Sequence, residues 1–375
     1  MIEYCKKCIL PNTRPNLKIL DNGICNACHS HELKKDVDWA FRQKMWLDLI
    51  KKIKSKNRSW DCIIPVSGGK DSTWQVITCL EYGLKPLCVT WKTPHRSKLG
   101  QQNLDNLISL GVDHFDVSIN PEIEKIFTLK AFKEKGSTAI PMHMALFSIP
   151  LNLAVKFDVP LILWGENSAV EYGGGTPDQI SKMNRNWLMN YGVTNNTLVK
   201  DWVDNELTTK DLSIYTWPSD LELEDKNIEV DFLGNYFEWD PVKTFEISKK
   251  FGFKELDKPL VGYYNFADID DAFLITLHHW MKWYKFGFTR LWDNLSLEIR
   301  KQRLTRELAL DIIKSQTCLT PIKEIKNFSH WVGITSKDFF KIAENFRNNE
   351  IWEQVDNIWQ IKNFIIHNWN WKNEP

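Results

Sequence analysis

The feature that most constrains the fold of this 375-residue chain is a glycine loop between an apolar run and a helical pattern. The loop reads Ser67-Gly68-Gly69-Lys70-Asp71-Ser72; residues 62–66 before it are apolar, and residues 73–82 after it are helical in pattern. Two adjacent glycines let backbone N–H groups approach an oxyanion, and a helix N-terminus favours negative charge. The sequence therefore predicts a strand, a phosphate-binding loop and a helix.

This loop differs from the phosphate loop of kinases and ordinary ATPases. Their pattern requires a glycine five places before Gly69 and a Ser or Thr after the lysine, whereas Ile64 and Asp71 stand there. An acidic residue in an anion site makes sense when a cation accompanies the anion, so Asp71 is a candidate Mg²⁺ ligand. The alternative is a glycine turn capped by Ser67 or Asp71.

Strand and helix patterns alternate along the following residues. We expect strands over 86–91, 114–117 and 160–164, and helices over 36–56, 101–110, 142–157, 270–284 and 296–314, with a largely helical segment over 321–371. Such alternation favours an α/β fold with a parallel sheet and helices on both faces. The polar, weakly periodic residues 173–231 are interpreted as an excursion that covers the site or contacts a partner.

Two Cys-x-x-Cys pairs, Cys5 with Cys8 and Cys25 with Cys28, lie in an N-terminal segment with few apolar residues. Their spacing suits a tetrahedral four-thiolate site, and we expect structural Zn²⁺ to stabilise this segment. Iron in a rubredoxin-like site is the less favoured alternative. The other four cysteines are scattered among apolar residues, which favours a reducing compartment.

The charge balance gives no reason to expect a polyanionic partner. Lys plus Arg and Asp plus Glu number 48 each, so we expect no nucleic acid and no membrane surface as partner. The first residues lack an apolar run of signal-peptide length, and residues 139–155 are interrupted by prolines and polar residues. We expect a soluble, cytoplasmic protein.

The glycine loop resembles the pyrophosphatase loop, Ser-Gly-Gly-x-Asp-Ser, of the PP-loop, or adenine nucleotide α-hydrolase, superfamily. That superfamily includes GMP synthetase, NAD synthetase, asparagine synthetase and tRNA thiolation enzymes. The resemblance implies that ATP is cleaved between its α- and β-phosphates and that the substrate is adenylated. It also implies roles for particular residues. Pyrophosphate would be bound by Ser67, Gly68, Gly69 and Ser72, and Mg²⁺ by Asp71, with Lys70 taking part in catalysis. Adenine would be contacted by Val89 and Thr90, and the phosphates by Lys285 and Arg290.

Two carboxylates follow the predicted strand that ends at Trp164. The stretch from Gly165 looks like a segment of asparagine synthetase, although its spacing differs and Val170 replaces the middle aspartate. We expect Glu166 to contact substrate or to deprotonate ammonia, with Glu171 the weaker candidate. The alternative for both is a solvated loop carboxylate or a helix cap.

The chain as a whole resembles the N-acetyl sugar amidotransferase family of bacterial lipopolysaccharide and flagellar-glycan biosynthesis, with members in the mannuronic-acid and pseudaminic-acid pathways. The residues that carry the resemblance are Cys5–Pro15, Gly23–Cys28, Pro65–Ser72, Trp164–Asn167, Tyr236–Pro241 and Ile299–Arg300. It implies an ATP-dependent amidotransferase or ligase that forms AMP and pyrophosphate. An acetamido group of a nucleotide-activated sugar would become acetamidino through an O-adenylyl intermediate and ammonia.

The sequence contains no Cys directly after Met1 and no Gly-x-Cys-x-Gly, so we expect the ammonia to come from elsewhere. The resemblance implies a separate glutaminase with a cyclase-like barrel as partner; free ammonium is the alternative.

The implied organisation is a four-cysteine zinc module over 1–34, a PP-loop domain over 35–300 with the inserted region about 173–231, and a helical C-terminal region over 301–375. The rival functions are a tRNA sulfurtransferase and a non-catalytic zinc-ribbon scaffold that binds ATP.

Overall fold

The computed structural model describes residues 2–173, 183–315 and 320–371, and its centre is a five-stranded sheet. The strands are β1 (Cys62–Pro65), β2 (Pro86–Trp91), β3 (Asp113–Val117), β4 (Leu161–Trp164) and β5 (Glu229–Phe232). They are ordered β3-β2-β1-β4-β5 and every neighbouring pair is parallel. The predicted α/β fold with a parallel sheet is confirmed, and the chain order reverses beside β1, where open sheets of this kind bind ligands.

Fifteen helices occur in the described residues. Those up to the end of the sheet are α1 (Asn26–Leu33), α2 (Trp39–Ser55), α3 (Lys70–Glu81), α4 (Lys98–Ile108), α5 (Pro121–Lys135), α6 (Ile140–Phe157), α7 (Ser168–Tyr172), α8 (Arg185–Tyr191) and α9 (Asp220–Asp225). Those that follow are α10 (Pro241–Lys250), α11 (Leu274–Phe286), α12 (Arg290–Arg300), α13 (Arg306–Ser315), α14 (Ile322–Val332) and α15 (Ser336–Glu344).

Successive residues of the central strands face opposite sides of the sheet, as the period of a strand requires. Ile63 packs in a core with α5 and α6, whereas its neighbour Ile64 packs in a second core with α2, α3 and α4. Helix α6 is long and apolar enough to span a membrane by length and composition, but 61% of it is buried inside the protein. It contacts β1, β2 and β4 and is therefore a core helix of this fold.

The N-terminal segment shares its core with the helices that precede and follow residue 300. Its four cysteines pack with Ile9 and Leu10 against Trp292 of α12 and Ile313 of α13. Burial against these helices supplies the apolar contacts that the segment lacks by itself.

The single helix expected over residues 296–314 is wrong. Residues 296–314 form parts of two helices, because the chain breaks at 301–305, where Gln302 has φ 59° and Thr305 Oγ1 accepts from Leu308 N at 3.2 Å. The expected helical C-terminal region is confirmed by α13, α14 and α15, and it also includes an antiparallel hairpin, β6 (Trp352–Val355) and β7 (Ile358–Ile361). Its turn residues Asp356 and Asn357 both have positive φ. This backbone conformation is typical of a tight hairpin turn and is incompatible with a continuous helix.

The interpretation of residues 173–231 as an excursion that covers the site or contacts a partner stays a prediction. The last residues of this region belong to β5, which pairs with β4 along the edge of the main sheet. Residues 174–182 of the same region, including Gly174 and Gly175, lie outside the described residues.

Candidate active site

The glycine loop joins β1 to α3 and has a backbone that requires glycine. Gly68 has φ +81°, and a Cβ there would lie 2.5 Å from the backbone nitrogen of Leu104 in α4. Gly69 is the N-cap of α3 and makes no side-chain capping hydrogen bond. The first N–H groups of α3 are thus left for a ligand, and the loop fits a phosphate in the way that the sequence predicts.

A cavity of about 360 Å³ opens above this loop at the carboxyl ends of the strands. Eight residues that the sequence predicts for the site line it: Ser67, Gly68, Gly69, Lys70, Asp71, Ser72, Glu166 and Arg290. Four aromatic residues also line it: Trp91, Trp164, Phe253 and Phe266. The volume lies in the range of small-ligand sites.

The carboxylate of Asp71 is held in place by several donors. Trp239 Nε1 donates to its Oδ1 at 3.0 Å and Thr244 Oγ1 donates to the same oxygen at 2.9 Å. Lys70 forms an ion pair with the other oxygen, and Ser248 Oγ donates to the Lys70 carbonyl at 2.6 Å. Helix α10 therefore fixes both the backbone and the acidic side chain of the loop, and an oriented carboxylate here fits a Mg²⁺ ligand.

Glu166 lies beyond the end of β4 and lines the same cavity. Burial raises the pKa of its carboxyl to about 7, and the charge of Asp71 contributes in the same direction, whereas Lys70 opposes the shift. A carboxyl with this pKa changes its protonation state near neutral pH, which is what a general base requires.

Arg290 begins α12 and lines the same cavity. Its Nε lies 3.8 Å from Asp268 Oδ2, and neither atom has a hydrogen-bond partner among the residues that the structure describes. The Oε1 atom of Gln75, which also lines the cavity, is likewise without one. Polar atoms left this way in a cavity wall are available to a bound ligand.

Three residues predicted for the site lie elsewhere. Val89 and Thr90 are buried within β2, and Thr90 Oγ1 donates to the Val66 carbonyl at 2.7 Å. Strand β2 continues to Trp91, so Trp91 and not Val89 or Thr90 presents its side chain to the cavity. Lys285 lies in the last turn of α11, and its Nζ donates to the carbonyl of Lys135 at 3.0 Å, because the last carbonyls of α5 lack helical partners.

The weaker acidic candidate, Glu171, is also outside the cavity. It lies in α7 and forms a buried ion pair with Lys34. It is not a solvated carboxylate, because this ion pair connects it to the residue that follows α1 in the interior of the fold.

One acidic segment of the cavity wall was not predicted from the sequence. Asp268, Asp270 and Asp271 precede α11 and line the cavity, where burial raises the pKa of Asp270 to about 7. A Cβ on Gly100 of α4 would lie 2.5 Å from the Asp270 Cα, so the two segments approach closely. The run Asp268-Ile269-Asp270-Asp271 is visible in the sequence, and only its distance from the loop along the chain concealed it.

The four N-terminal cysteines form a compact buried cluster. All four Sγ atoms lie within 4.8 Å of one another, with Cys5 to Cys28 at 3.9 Å and Cys8 to Cys25 at 3.7 Å. A zinc tetrahedron with Zn–S bonds of ~2.3 Å has edges of ~3.8 Å. The backbone N–H of Cys25 also donates to Cys5 Sγ at 3.1 Å, as is typical of a thiolate site. The cluster fits Zn²⁺.

Comparison with known protein families gives a match in the second half of the chain. Residues 246–365 match the family model described as the C-terminal domain of WbpG-like LPS biosynthesis proteins. These residues, called the WbpG-like segment below, are similar to that domain. The WbpG-like segment starts within α10, carries Asp268, Asp270, Asp271 and Arg290 of the cavity wall, and ends after β7. No curated protein gives a significant match.

Two solved structures are similar to part of the chain. One is the NH3-dependent NAD synthetase from Campylobacter jejuni, in complex with the nitrate ion, at 17% identity and a TM-score of 0.27, covering 57% of this chain and 93% of that chain. The other is NMN synthetase from Francisella tularensis, at 13% identity and a TM-score of 0.28, covering 60% of this chain and 99% of that chain.

Proposed function

We propose that the chain is an ATP-dependent amidotransferase that converts an acetamido group of a nucleotide-activated N-acetyl sugar into an acetamidino group. The WbpG-like segment supports a place in lipopolysaccharide biosynthesis, and the glycine loop supports ATP as co-substrate. The observation that carries the proposal is that Asp71 and Glu166 line one cavity with the loop, close enough for the charge of Asp71 to raise the Glu166 pKa.

The reaction begins at the amide oxygen of the acetamido group. That oxygen attacks the α-phosphorus of ATP, and pyrophosphate leaves toward the N–H groups of the glycine loop and α3. The product of this step is an O-adenylyl imidate. Adenylation is needed because oxide is a very poor leaving group, whereas AMP leaves readily.

Ammonia then attacks the imidate carbon. The carboxylate of Glu166 accepts a proton from the nitrogen, the C–O bond breaks, AMP departs, and the acetamidine remains on the sugar. Mg²⁺ bound with ATP would neutralise charge on the phosphates, and Asp71 is the residue that we expect to hold it. Lys70, in its ion pair with Asp71, contributes a further positive charge at the loop.

The ammonia donor in this proposal is a separate glutaminase with a cyclase-like barrel partner, in the cytoplasm, where nucleotide sugars and ATP are available. Neither Asp71 nor Glu166 can hydrolyse glutamine in the manner of a thiolate nucleophile. In this proposal the four cysteines of the N-terminal cluster bind a structural Zn²⁺ ion.

The tRNA sulfurtransferase alternative requires a reactive thiol near the adenylated base. Cys62, Cys79 and Cys88 are fully buried in the sheet and in α3 and do not line the cavity, and Cys318 lies outside the described residues. Burial raises the pKa of Cys88, and a hydrogen bond with Cys62 together with burial raises that of Cys79, which opposes thiolate formation. The burial of these cysteines therefore favours the amidotransferase function over the sulfurtransferase function.

The test combines the protein with ATP, Mg²⁺, ammonium and a panel of nucleotide-linked N-acetyl sugars. We expect AMP, pyrophosphate and a sugar product lighter by about one dalton, because NH replaces O. Formation of ADP and phosphate would contradict α,β-cleavage. AMP formation that depends on tRNA and sulfide would favour the sulfurtransferase.

A further inference from the structure

A second cavity, of about 510 Å³, lies beside the first, and we call it the tryptophan cavity. Four tryptophans line it: Trp280, Trp283 and Trp292 are almost fully buried, and Trp369 is partly exposed. Leu260, Val261, Leu291 and Ile313 add apolar surface. A cavity of this size is in the range of small-molecule sites, and flat indole faces are suited to rings that stack.

The tryptophan cavity contains buried polar atoms without partners. His279 is 6% exposed and its Nδ1 makes no hydrogen bond in the described residues; Trp280 is 5% exposed and the same holds for its Nε1. Burial lowers the pKa of His279 well below its ordinary value, so the ring is neutral and can accept or donate. Burying two polar atoms without hydrogen bonds costs free energy, and a ligand that forms hydrogen bonds with them would remove that cost.

His279 also forms the boundary with the cavity above the glycine loop. Its side chain lines the tryptophan cavity, while its Nε2 lies 3.8 Å from Oδ2 of Asp268, which lines the loop cavity. The start of α12 also lies between the two cavities. Thr289 and Leu291 line the tryptophan cavity, and Arg290 lines the cavity above the glycine loop. A ligand in the tryptophan cavity is therefore one side chain away from the ATP site.

Lys258 supplies positive charge at the tryptophan cavity. It lines the cavity and is exposed, and it has no ion pair in the described part of the chain. An unpaired lysine at the edge of an aromatic cavity fits a ligand that combines a stacking ring with phosphate groups. Sugar rings and nucleobases both stack on tryptophan, and a diphosphate would reach the lysine.

We propose that the tryptophan cavity binds the nucleoside-diphosphate sugar, with rings stacked on Trp369 and its neighbours, the diphosphate at Lys258, and the acetamido group directed past His279 to the glycine loop. This proposal rests on the proposed function for the identity of the ligand. It assigns the two substrates to two cavities, with ATP at the loop and the sugar nucleotide behind His279.

The test measures binding without ATP, by calorimetry, using UDP-N-acetylglucosamine and its GDP- and CMP-linked counterparts as probes. We expect saturable binding of at least one probe in the wild-type protein. Trp369→Ala should raise its dissociation constant about tenfold, which is about 1.4 kcal/mol, and Lys258→Ala should raise it several-fold and reduce its salt dependence. Binding of ATP, measured separately, should stay unchanged in both variants.

Lys254→Ala is the matched control, because Lys254 is an exposed lysine of the same segment that does not line the cavity. Thermal unfolding of each variant identifies any loss of folding; if Trp369→Ala unfolds, Trp369→Leu, which keeps the apolar packing and removes the stacking face, takes its place. No saturable binding of any probe by the folded wild-type protein, or unchanged binding in both cavity variants, overturns the proposal.

The outcomes also separate this proposal from the proposed reaction. Asp71→Ala should keep sugar-nucleotide binding while AMP formation is lost. If cavity variants weaken probe binding but no sugar supports AMP formation, the cavity assignment stands and the reaction is wrong. If AMP forms normally with the Trp369 and Lys258 variants at limiting sugar, the reaction stands and the cavity assignment is wrong.

Discussion

Lys34 and Glu171 form an ion pair in the interior of the protein, with each side chain less than a tenth exposed. Lys34 directly follows α1, which carries Cys28 and whose N-cap is Cys25. Glu171 lies in α7, directly after the segment that carries Glu166. The helix that carries Cys28 and the segment that carries Glu166 are therefore connected by this buried ion pair. We expect the N-terminal segment to help position Glu166.

Breaking this pair should cost much more than breaking an exposed one. Lys34→Ala leaves the Glu171 carboxylate buried and unpaired, so we expect the free energy of unfolding to fall by about 3 kcal/mol. Lys7→Ala is the control, since Lys7 pairs with Glu32 where both side chains are partly exposed, and its cost should stay below about 1 kcal/mol. Urea unfolding followed by fluorescence measures both; equal costs would mean that the buried pair has no special role.

The central strands and the glycine loop could be predicted because their signals are local. Strand β2 covers the expected residues 86–91, and α3 begins inside the loop where two glycines and a helical pattern meet. The cysteine cluster was equally accessible, because two Cys-x-x-Cys pairs limit where the four thiols can lie. In each case a few adjacent residues decide the structure.

What could not be predicted depends on distant contacts. Strand β5 has only four residues, and pairing with β4 rather than its own pattern makes it a strand. Trp239 and Thr244 reach Asp71 from the start of α10 and the residues before it, far along the chain, so no spacing rule relates them. The resemblance implies that Lys285 contacts the phosphates, whereas helix packing directs its Nζ to the carbonyl of Lys135.

Removal of the Asp71 charge should abolish adenylation without unfolding the protein. We expect Asp71→Asn to lower the rate of AMP formation by at least about a hundredfold, because the loop loses its proposed Mg²⁺ ligand and the partner of Lys70. Asp105→Asn is the control, an exposed carboxylate in α4 outside the cavity. AMP release and circular dichroism are measured together; a rate within a few-fold of wild type would exclude Asp71 from the chemistry.

Thr244→Val tests whether α10 positions that carboxylate. The variant removes one hydrogen bond to Asp71 Oδ1 and leaves the Trp239 bond in place. A hydrogen bond to a charged group is worth about 1.5–3 kcal/mol, so we expect AMP formation to fall by about tenfold or more. The apparent Mg²⁺ requirement should rise as well, which distinguishes positioning of Asp71 from a general loss of structure.

Glu166 should determine the acidic limb of the pH profile. Since its pKa is raised to about 7, the carboxyl is protonated below that pH and cannot accept a proton from ammonia. We expect the rate of amidine formation at fixed free ammonia to rise with pH and to level off above about 7. In Glu166→Gln this limb should be absent and the remaining rate low. The control measures AMP formation with the pH of the assay varied and ammonia absent, since adenylation alone should not follow the same limb.

Arg300 should stabilise the metal cluster through its charge. It is 2% exposed, and its two terminal nitrogens have no hydrogen-bond partner within the described ranges. Although burial disfavours the charged guanidinium, the neighbouring sulfurs of Cys8, Cys28 and Cys25 hold the pKa of Arg300 above its ordinary value. Four thiolates around Zn²⁺ carry a net negative charge, which a buried cation beside them offsets.

Arg300→Met removes that cation while filling similar space, and we expect it to weaken zinc binding by about tenfold to a hundredfold. Arg300→Lys should recover part of the affinity, because the charge is retained. Competition with a chromogenic chelator measures the affinity, and the spectrum of the Co²⁺-loaded protein reports whether all four thiolates remain bound. Equal affinity in Arg300→Met and wild type would show that the thiolate charge is compensated elsewhere, through Cys25 N–H and the other backbone donors of the cluster.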